Sequence, residues 1–326
     1  MKKILVTGAA GFIGSKVSQL LMKDNLVIGV DEINDYYDIR LKQWRLKKLQ
    51  ENNNFIFFQK DISDYNEMKI IFKKYKIDIV INLAARAGVR YSFIEPLLYF
   101  KSNVTGNIVL LELSSKFNVE KFILSSSSSV YAGQEMPFDE NKIVDYPISP
   151  YAASKRSAEL SSYSYHNAYG LDITVFRYFT VYGPASRPDM AIYRFIKWIN
   201  DGTPLLLFGD GNQIRSFTYI DDIASGTVEA ITHKSGFEII NLGNDKTNSI
   251  IEVIRYIEKY TGKKAIINNN PSHKGDMKGT WANIEKAKNI LNWQPKINLE
   301  TGLKKTVEWT TDNLEFINKI SIDTNI

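Results

Sequence analysis

The chain predicts a doubly wound parallel α/β sheet followed by a smaller C-terminal α/β unit. Three observations carry this. Short apolar strands alternate with helical stretches through the first half of the chain. A glycine-spaced loop stands between the first strand and the first helix. After Tyr178, turns such as Gly183-Pro184, Gly202-Thr203-Pro204 and Gly209-Asp210-Gly211 break the rhythm into shorter elements.

Ile4-Leu5-Val6 reads as a short buried strand, and the loop from Thr7 through Gly8, Gly11, Phe12, Ile13 and Gly14 opens a helix running to about Asp24. Strand, glycine loop and helix are the context that a dinucleotide-binding motif requires. Glycines permit the tight turn and let the backbone approach a pyrophosphate, which then faces the first amides and the positive helix end. Residues 26–30 supply a second strand, ending in Asp31. A carboxylate there suits a ribose 2′-hydroxyl and repels a 2′-phosphate, which favours NAD over NADP. Residues 55–58 lead to Asp61, residues 79–81 to Asn82-Leu83-Ala84-Ala85, and residues 122–124 and 174–176 complete the strands read here. Helices are expected near 65–75, 96–117 and 150–168, then near 192–200, 250–260, 284–291 and 299–313. Ligands bind beyond the carboxyl ends of parallel strands. Gly14, Asp31, Asp61, Ala85, Ser127 and Tyr178 all fall there.

The stretch from Ser125 to Lys155 carries candidate chemistry. Five serines, Ser125 to Ser129, follow a strand and precede Val130-Tyr131. Tyr151 and Lys155 are four apart in a helical stretch, so they share one face, one turn apart. An ammonium beside a phenol favours the phenolate and should draw the Tyr151 pKa towards neutrality. Such a base suits proton transfer from an alcohol, and the serine hydroxyls arrive at a strand end beside it. A Tyr/Lys pair alone is more often a surface pair; the serines and the glycine loop reverse that reading.

The composition sets bounds. The 326 residues suffice for one large or two modest domains. The net charge of +5 is mild and the lysines are scattered, which argues against nucleic acid as a partner. There is no cysteine, and the three histidines are scattered, so neither thiolate chemistry nor a metal site is expected. The start, Met1 to Val6, carries two lysines and its apolar run is too short for a signal peptide, and no run is long enough to span a membrane. A cytoplasmic location is expected.

Together, Gly8-x-x-Gly11-x-x-Gly14, Asp31, Asn82-Leu83-Ala84-Ala85, the serine run before Val130-Tyr131 and Tyr151-x-x-x-Lys155 resemble the extended short-chain dehydrogenase/reductase family. Arg177-Tyr178-Phe179, Tyr182-Gly183-Pro184, the run from Arg215 to Asp222 and Trp281-Ala282 extend the resemblance over nearly the whole chain. It implies an NAD-binding Rossmann domain over 1–180 and a mainly nucleotide-sugar-binding domain over 181–320, and the polar tail 321–326 reads as frayed. Members use bound NAD to oxidise and then re-reduce a sugar carried on a nucleotide. The stretches from Asn34 to Lys42, Ala87 to Ser92 and Tyr182 to Ala191 are similar to UDP-glucuronate 4-epimerases. Arg86 stands where those enzymes usually have glutamine, Ala132 replaces a glycine, and Ser127 stands where threonine is frequent.

The resemblance implies roles. Ser127 bridges the sugar 4-oxygen and Tyr151; Tyr151 takes the 4-hydroxyl proton as hydride leaves C4; Lys155 binds the nicotinamide ribose. Gly8, Gly11, Phe12, Ile13, Gly14, Asp31, Asp61, Ile62, Leu83, Ala84, Ala85, Asn103, Ser125 and Tyr178 complete the cofactor site. For Asn103 the alternative is a polar residue on the helix after Pro96. A glucuronate oxidised at C4 is a β-keto acid, so its carboxylate must be held away from the alignment that releases CO₂. Arg187 is the candidate clamp, with Ser128, Ser129 and Thr180 as neutral donors; the alternative is a loop arginine satisfied by Asp189. Arg90 is assigned to the carboxylate or the pyrophosphate, and Arg215 and Asp276 to the diphosphate and the uridine ribose. Thr280 leaves the sugar pocket roomy. Dehydratases of the family need an Asp–Glu pair after the catalytic hydroxyl, and Ser128 and Ser129 cannot act as that acid and base at pH 7. The rivals are a neutral UDP-sugar 4-epimerase, a decarboxylase or 4,6-dehydratase, and a non-enzymatic NAD-linked sensor or scaffold. The intact Ser127, Tyr151 and Lys155 count against the last. A homodimer through the helices at 96–117 and 150–168 is the family habit.

Overall fold

The computed structural model describes residues 1–234, 236–271 and 279–322. The first half alternates as expected: β1 (Lys3–Thr7), α1 (Phe12–Leu21), β2 (Leu26–Asp31), α2 (Ile39–Gln50), β3 (Phe55–Gln59), α3 (Tyr65–Tyr75), β4 (Ile79–Asn82), α4 (Pro96–Phe100), α5 (Gly106–Lys116), β5 (Lys121–Ser127), α6 (Pro150–Tyr169) and β6 (Ile173–Tyr178). The remainder comprises β7 (Thr180–Tyr182), α7 (Ala191–Asp201), β8 (Leu205–Phe208), β9 (Ile214–Arg215), β10 (Phe217–Tyr219), α8 (Ile220–Glu229) and β11 (Phe237–Leu242), then β12 (Asn248–Ser249), α9 (Ile250–Thr261), β13 (Ile267–Asn270), β14 (Gly279–Thr280), α10 (Glu285–Leu291), α11 (Leu299–Asp312) and α12 (Leu314–Lys319).

Among the described residues, one seven-stranded sheet runs β11-β6-β5-β4-β1-β2-β3, with every pairing parallel. The order reverses between β1 and β4, which opens a crevice at the carboxyl ends of the strands. The strands are apolar on both sides because helices cover both faces. Ile4 and Val6 of β1 enter one core, while Leu5, with Ile28 and Val30 of β2, enters the other. The first core continues without a break into the C-terminal elements through Leu205, Val253 and Leu303. There β7 pairs with β10, β8 with β13, and β9 with β12 and β14. No helix among the described residues is long and apolar enough to cross a membrane.

Three departures from the sequence reading have physical causes. Helix α2 was not anticipated, because its buried face consists of Leu41, Lys42, Arg45 and Leu49, and two cations break the apolar period. Strand β11 was also missed: it lies at the sheet edge and its first three residues are only partly buried. Like α8, it comes from beyond residue 180 yet joins the layers of the large sheet. The single helix expected over 96–117 is interrupted by a wider, π-type turn at Lys101–Thr105. Of the tail, residues 323–326 lie outside the described residues, and the Ser321 N–H donates to Asp38 Oδ2 at 2.8 Å.

A buried ion pair locks α6 against the sheet. Arg177 on β6 donates to both carboxylate oxygens of Glu159 on α6, at 2.9 and 2.8 Å. Glu159 also accepts from Ser126 Oγ at 2.5 Å, and Arg177 Nη1 donates to the Tyr131 hydroxyl at 2.8 Å. Glu159 Oε2 also accepts from the partly exposed Arg156 Nη1 at 3.1 Å, yet removing one partner of the buried pair costs much more than replacing both. Arg177→Met should therefore lower unfolding stability by roughly 3–5 kcal/mol, and adding Glu159→Leu should recover part of that loss. Urea unfolding midpoints for the three proteins measure it.

Candidate active site

The loop after β1 is built for close approach. Gly8 has φ +66°, and a Cβ there would sit 2.8 Å from the Ala84 amide nitrogen. At Gly14 a Cβ would come within 2.0 Å of the Gly8 carbonyl oxygen, so only glycine lets α1 start this close to the loop. The Asp31 carboxylate accepts from the Ala10 N–H at 3.1 Å and the Ile33 N–H at 2.9 Å, which aims it across the loop. Its remaining lone pairs suit a ribose diol. Burial raises the Asp31 pKa above its ordinary value. Steric room for a pyrophosphate, a helix N-terminus and a buried carboxylate acceptor fit a nicotinamide dinucleotide.

One cavity of 610 Å³ joins this loop to the rest of the site. Its wall includes Gly8, Gly11, Phe12, Ile13, Gly14, Asp31, Asp61, Ile62, Leu83, Ala84, Ala85, Ser125, Lys155 and Tyr178. Ser127, Ser128, Ser129, Tyr151, Thr180 and Arg187 line the same cavity, as do Arg90, Arg215 and Thr280. Asp61 pairs with Lys101 at 2.8 Å. The Arg90 guanidinium lies 4.5 Å from the Phe208 ring centre. Arg215 Nη1 donates to the Ile214 carbonyl at 2.8 Å. Asp276, assigned to the uridine ribose, lies outside the described residues.

The catalytic candidates meet where β5 and α6 converge. β5 reaches three residues beyond the strand read from the sequence, so Ser127 is its last residue, and its Oγ accepts from the Ser129 N–H at 3.1 Å. α6 begins at Pro150 and is capped by Ser149. It buries Tyr151, Lys155 and Glu159 on one face, as the four-residue spacing requires. Lys155 Nζ donates to the Ser125 carbonyl at 2.8 Å.

The expected depression of the Tyr151 pKa by Lys155 is not what the protein's own groups produce. Burial raises the phenol, and the Ser127 hydroxyl and the Arg187 charge only partly oppose this. Burial also lowers Lys155 to about 7, against a smaller opposing pull from Glu159. Desolvation disfavours both charged forms, and the ammonium is turned to a carbonyl.

Arg187 is a loop arginine paired with Asp189, as the alternative reading expected. It donates to Asp189 through Nε at 2.9 Å and through Nη2, and it lines the cavity. Its Nη1 makes no hydrogen bond among the described residues. Burial acts to lower the Arg187 pKa, but Asp189 keeps it above the ordinary arginine value. Asn103 does not line the cavity. Its side chain holds the Arg86 backbone on both sides, accepting from Arg86 N–H at 2.8 Å and donating to Arg86 O at 3.0 Å. It also donates to Ser154 Oγ at 2.9 Å, and Ser154 in turn donates to the Tyr151 carbonyl. It is thus a brace between the β4 loop and the catalytic helix.

Sequence reasoning missed two residues. Buried Arg45 donates to the Ala10 carbonyl at 3.0 Å and to the Ala185 carbonyl at 2.8 Å, tying the glycine loop to the loop that carries Arg187. The ring of Tyr36 lies 5.7 Å from the Arg187 guanidinium, on the cavity wall. Arg45 left no apolar periodicity to detect, and Tyr36 stood out only within a family-like stretch.

A glycine-cradled crevice beside a buried serine, tyrosine and lysine defines a class of nicotinamide-dependent enzymes acting on alcohols. A family model described as GDP-mannose 4,6 dehydratase matches residues 5–306. A UDP-glucuronate 4-epimerase of Thermodesulfobacterium geofontis is 54% identical over 320 residues, covering 98% of this chain and 99% of that protein. The crystal structure of UDP-glucuronic acid 4-epimerase from Bacillus cereus, in complex with UDP-glucuronic acid and NAD, is 39% identical with TM-score 0.90, covering 95% and 99% of the two chains. UDP-glucose 4-epimerase from Thermotoga maritima, with UDP-glucose, is 34% identical with TM-score 0.88, covering 96% and 99%. The chain belongs to the extended short-chain dehydrogenase/reductase family.

The Lys155 environment gives a signed expectation. Its folded pKa, about 7, lies below the ordinary 10.5. Between these values the unfolded chain binds the extra proton, so the cost of burying Lys155 is full below about 7 and is relieved as pH rises. In cofactor-stripped protein, urea midpoints across that window should rise more steeply with pH than those of Lys155→Met.

Proposed function

We propose that this chain interconverts UDP-glucuronate and UDP-galacturonate by NAD-dependent 4-epimerisation. The observation that carries the reading is Arg187 on the wall of the same cavity as Ser127 and Tyr151. Arg187 lies close enough for its charge to act on the Tyr151 phenol. The 54% identical relative is a UDP-glucuronate 4-epimerase, which supports the same substrate.

Bound NAD⁺ supplies a hydride acceptor that later returns the hydride, and a positive charge in the site. The protein's residues do the rest. The Tyr151 phenolate takes the proton of the sugar 4-hydroxyl as C4 is oxidised, and Ser127 donates to the same sugar oxygen. The 4-keto sugar then turns its other face, and Tyr151 returns the proton to the reduced oxygen. Arg187 Nη1, with Ser128, Ser129 and Thr180, holds the carboxylate against rotation, so the C5–C6 bond stays out of line with the ketone and CO₂ is retained. Arg215 and Arg90 serve the diphosphate end. No acidic pair follows Ser127 to remove water, so the dehydratase reading has no base.

A neutral-sugar epimerase is the second reading. Thr280 is small and lines the cavity, the Arg187 charge is already met by Asp189, and the Thermotoga maritima structure similar to this chain holds UDP-glucose. For assembly, a homodimer fits the exposed Phe93 and Ile94 before α4, Leu97 on α4, and Leu160 and Tyr163 on α6.

Two variants test the assignment. Tyr151→Phe should lose at least about two orders of magnitude in kcat while retaining UDP affinity. Normal turnover would assign the base elsewhere. Arg187→Ala should weaken UDP-glucuronate roughly ten- to hundredfold, since a hydrogen bond to a charged group contributes about 1.5–3 kcal/mol. It should leave UDP-glucose nearly unaffected. The variant should also release CO₂ and accumulate reduced nicotinamide, read by NMR of products and by absorbance. Equal losses on both sugars without CO₂ would favour the neutral-sugar reading.

A further inference from the structure

We propose that Arg86 and Glu32 form an ion-pair strap across the bound dinucleotide and slow its release. Arg86 follows β4 and Glu32 follows β2, and in the sheet β1 lies between those strands. The glycine loop leaves β1 at the same end. Arg86 Nη2 nevertheless reaches Glu32 Oε1 at 3.6 Å. The pair therefore spans the mouth above the glycine loop, from one wall of the crevice to the other, and both residues line the cavity. A dinucleotide held by that loop would lie under the pair.

Both ends are held. Asn103 fixes the Arg86 backbone, so the guanidinium projects from a rigid base at the π-type turn. The Glu32 carboxylate accepts from Asn34 Nδ2, and Asn34 is itself gripped by Lys42 Nζ at 2.8 Å through both its carbonyl and its side-chain oxygen. Burial lowers Lys42 to about 8, opposed by the charges of Asp31 and Glu32. The Arg86 guanidinium also lies 6.0 Å from the Tyr36 ring.

The purpose follows from a closed redox cycle. An enzyme whose cofactor ends each turnover unchanged gains from holding it, and an ion pair that must open before the dinucleotide leaves acts on the release rate. The inference rests on the dinucleotide and not on the sugar, so it stands or falls apart from the substrate assignment.

The test is a double-mutant cycle on release. Protein loaded with radiolabelled NAD is chased with excess unlabelled NAD, and bound label is followed by rapid filtration. Arg86→Gln and Glu32→Gln should each speed release about three- to tenfold, the scale of a partly exposed pair. The double variant should be no faster than the faster single, because either change opens the strap. Both variants keep the backbone contacts of Asn103, and thermal unfolding checks that they fold. Release at the original rate in both singles would overturn the strap. So would fast release in Arg86→Gln alone, which would make Arg86 a direct phosphate ligand, and so would multiplied effects in the double variant, which would mean two separate contacts.

Discussion

The site depends on the buried pair of Arg177 and Glu159. Glu159 lies on the same face of α6 as Tyr151 and Lys155, two turns and one turn along. Its carboxylate is bound by Arg177 from β6 and by Ser126 from β5, one residue before Ser127. Arg177 also holds Tyr131, whose hydroxyl donates to Asn241 on β11 at 2.8 Å. One charged cluster thus sets the distance and the roll of the catalytic helix over three neighbouring strands. An apolar contact could supply the packing. It would not set the angle as narrowly, because bidentate carboxylate–guanidinium geometry is directional.

Around that anchor the site is assembled from strand ends and the loops that leave them. Asp31, Ser127 and Tyr178 end β2, β5 and β6, and Ala84 stands two residues beyond β4. Their mutual positions follow from the register of a parallel sheet. The loops need separate ties. Arg45 joins the glycine loop to residues 185 and 186, and Asn103 joins the β4 loop to α6. Both are polar groups withdrawn from solvent and satisfied largely by backbone atoms, so each specifies one loop position. The widened turn at Lys101–Thr105 is what brings Asn103 to its two partners, in keeping with the frequency of such turns near functional sites.

Burial shapes the electrostatics more than any single pair. It works against the charged forms of both Tyr151 and Lys155, and the protein answers with few fixed charges nearby. Arg187 is one of them, and Asp189 keeps it ionised against burial. Its tie to Asp189 also fixes the guanidinium plane, which a carboxylate clamp requires. The same residue thus acts on the phenol and lines the cavity.

The sequence by itself determined the alternating sheet and helices, the glycine cradle, the carboxylate after β2 and the shared face of Tyr151 and Lys155. These are local: strand apolarity, obligatory glycine conformation and the 3.6-residue turn act within a few residues of one another. Helix 65–75 was legible to its ends for that reason. What only the tertiary structure decided depends on partners distant in the chain. Helix α2 was hidden because its buried face is partly cationic, and Arg45 finds its acceptors 35 and 140 residues away. Asn103 proved a brace because the fold brings the Arg86 backbone, 17 residues earlier, against its side chain. Arg86 meets Glu32 only because the sheet order places β2 and β4 on either side of β1. Above all, the direction of the Tyr151 pKa was set by desolvation and by where Lys155 points, and the spacing of two residues along a helix carries neither.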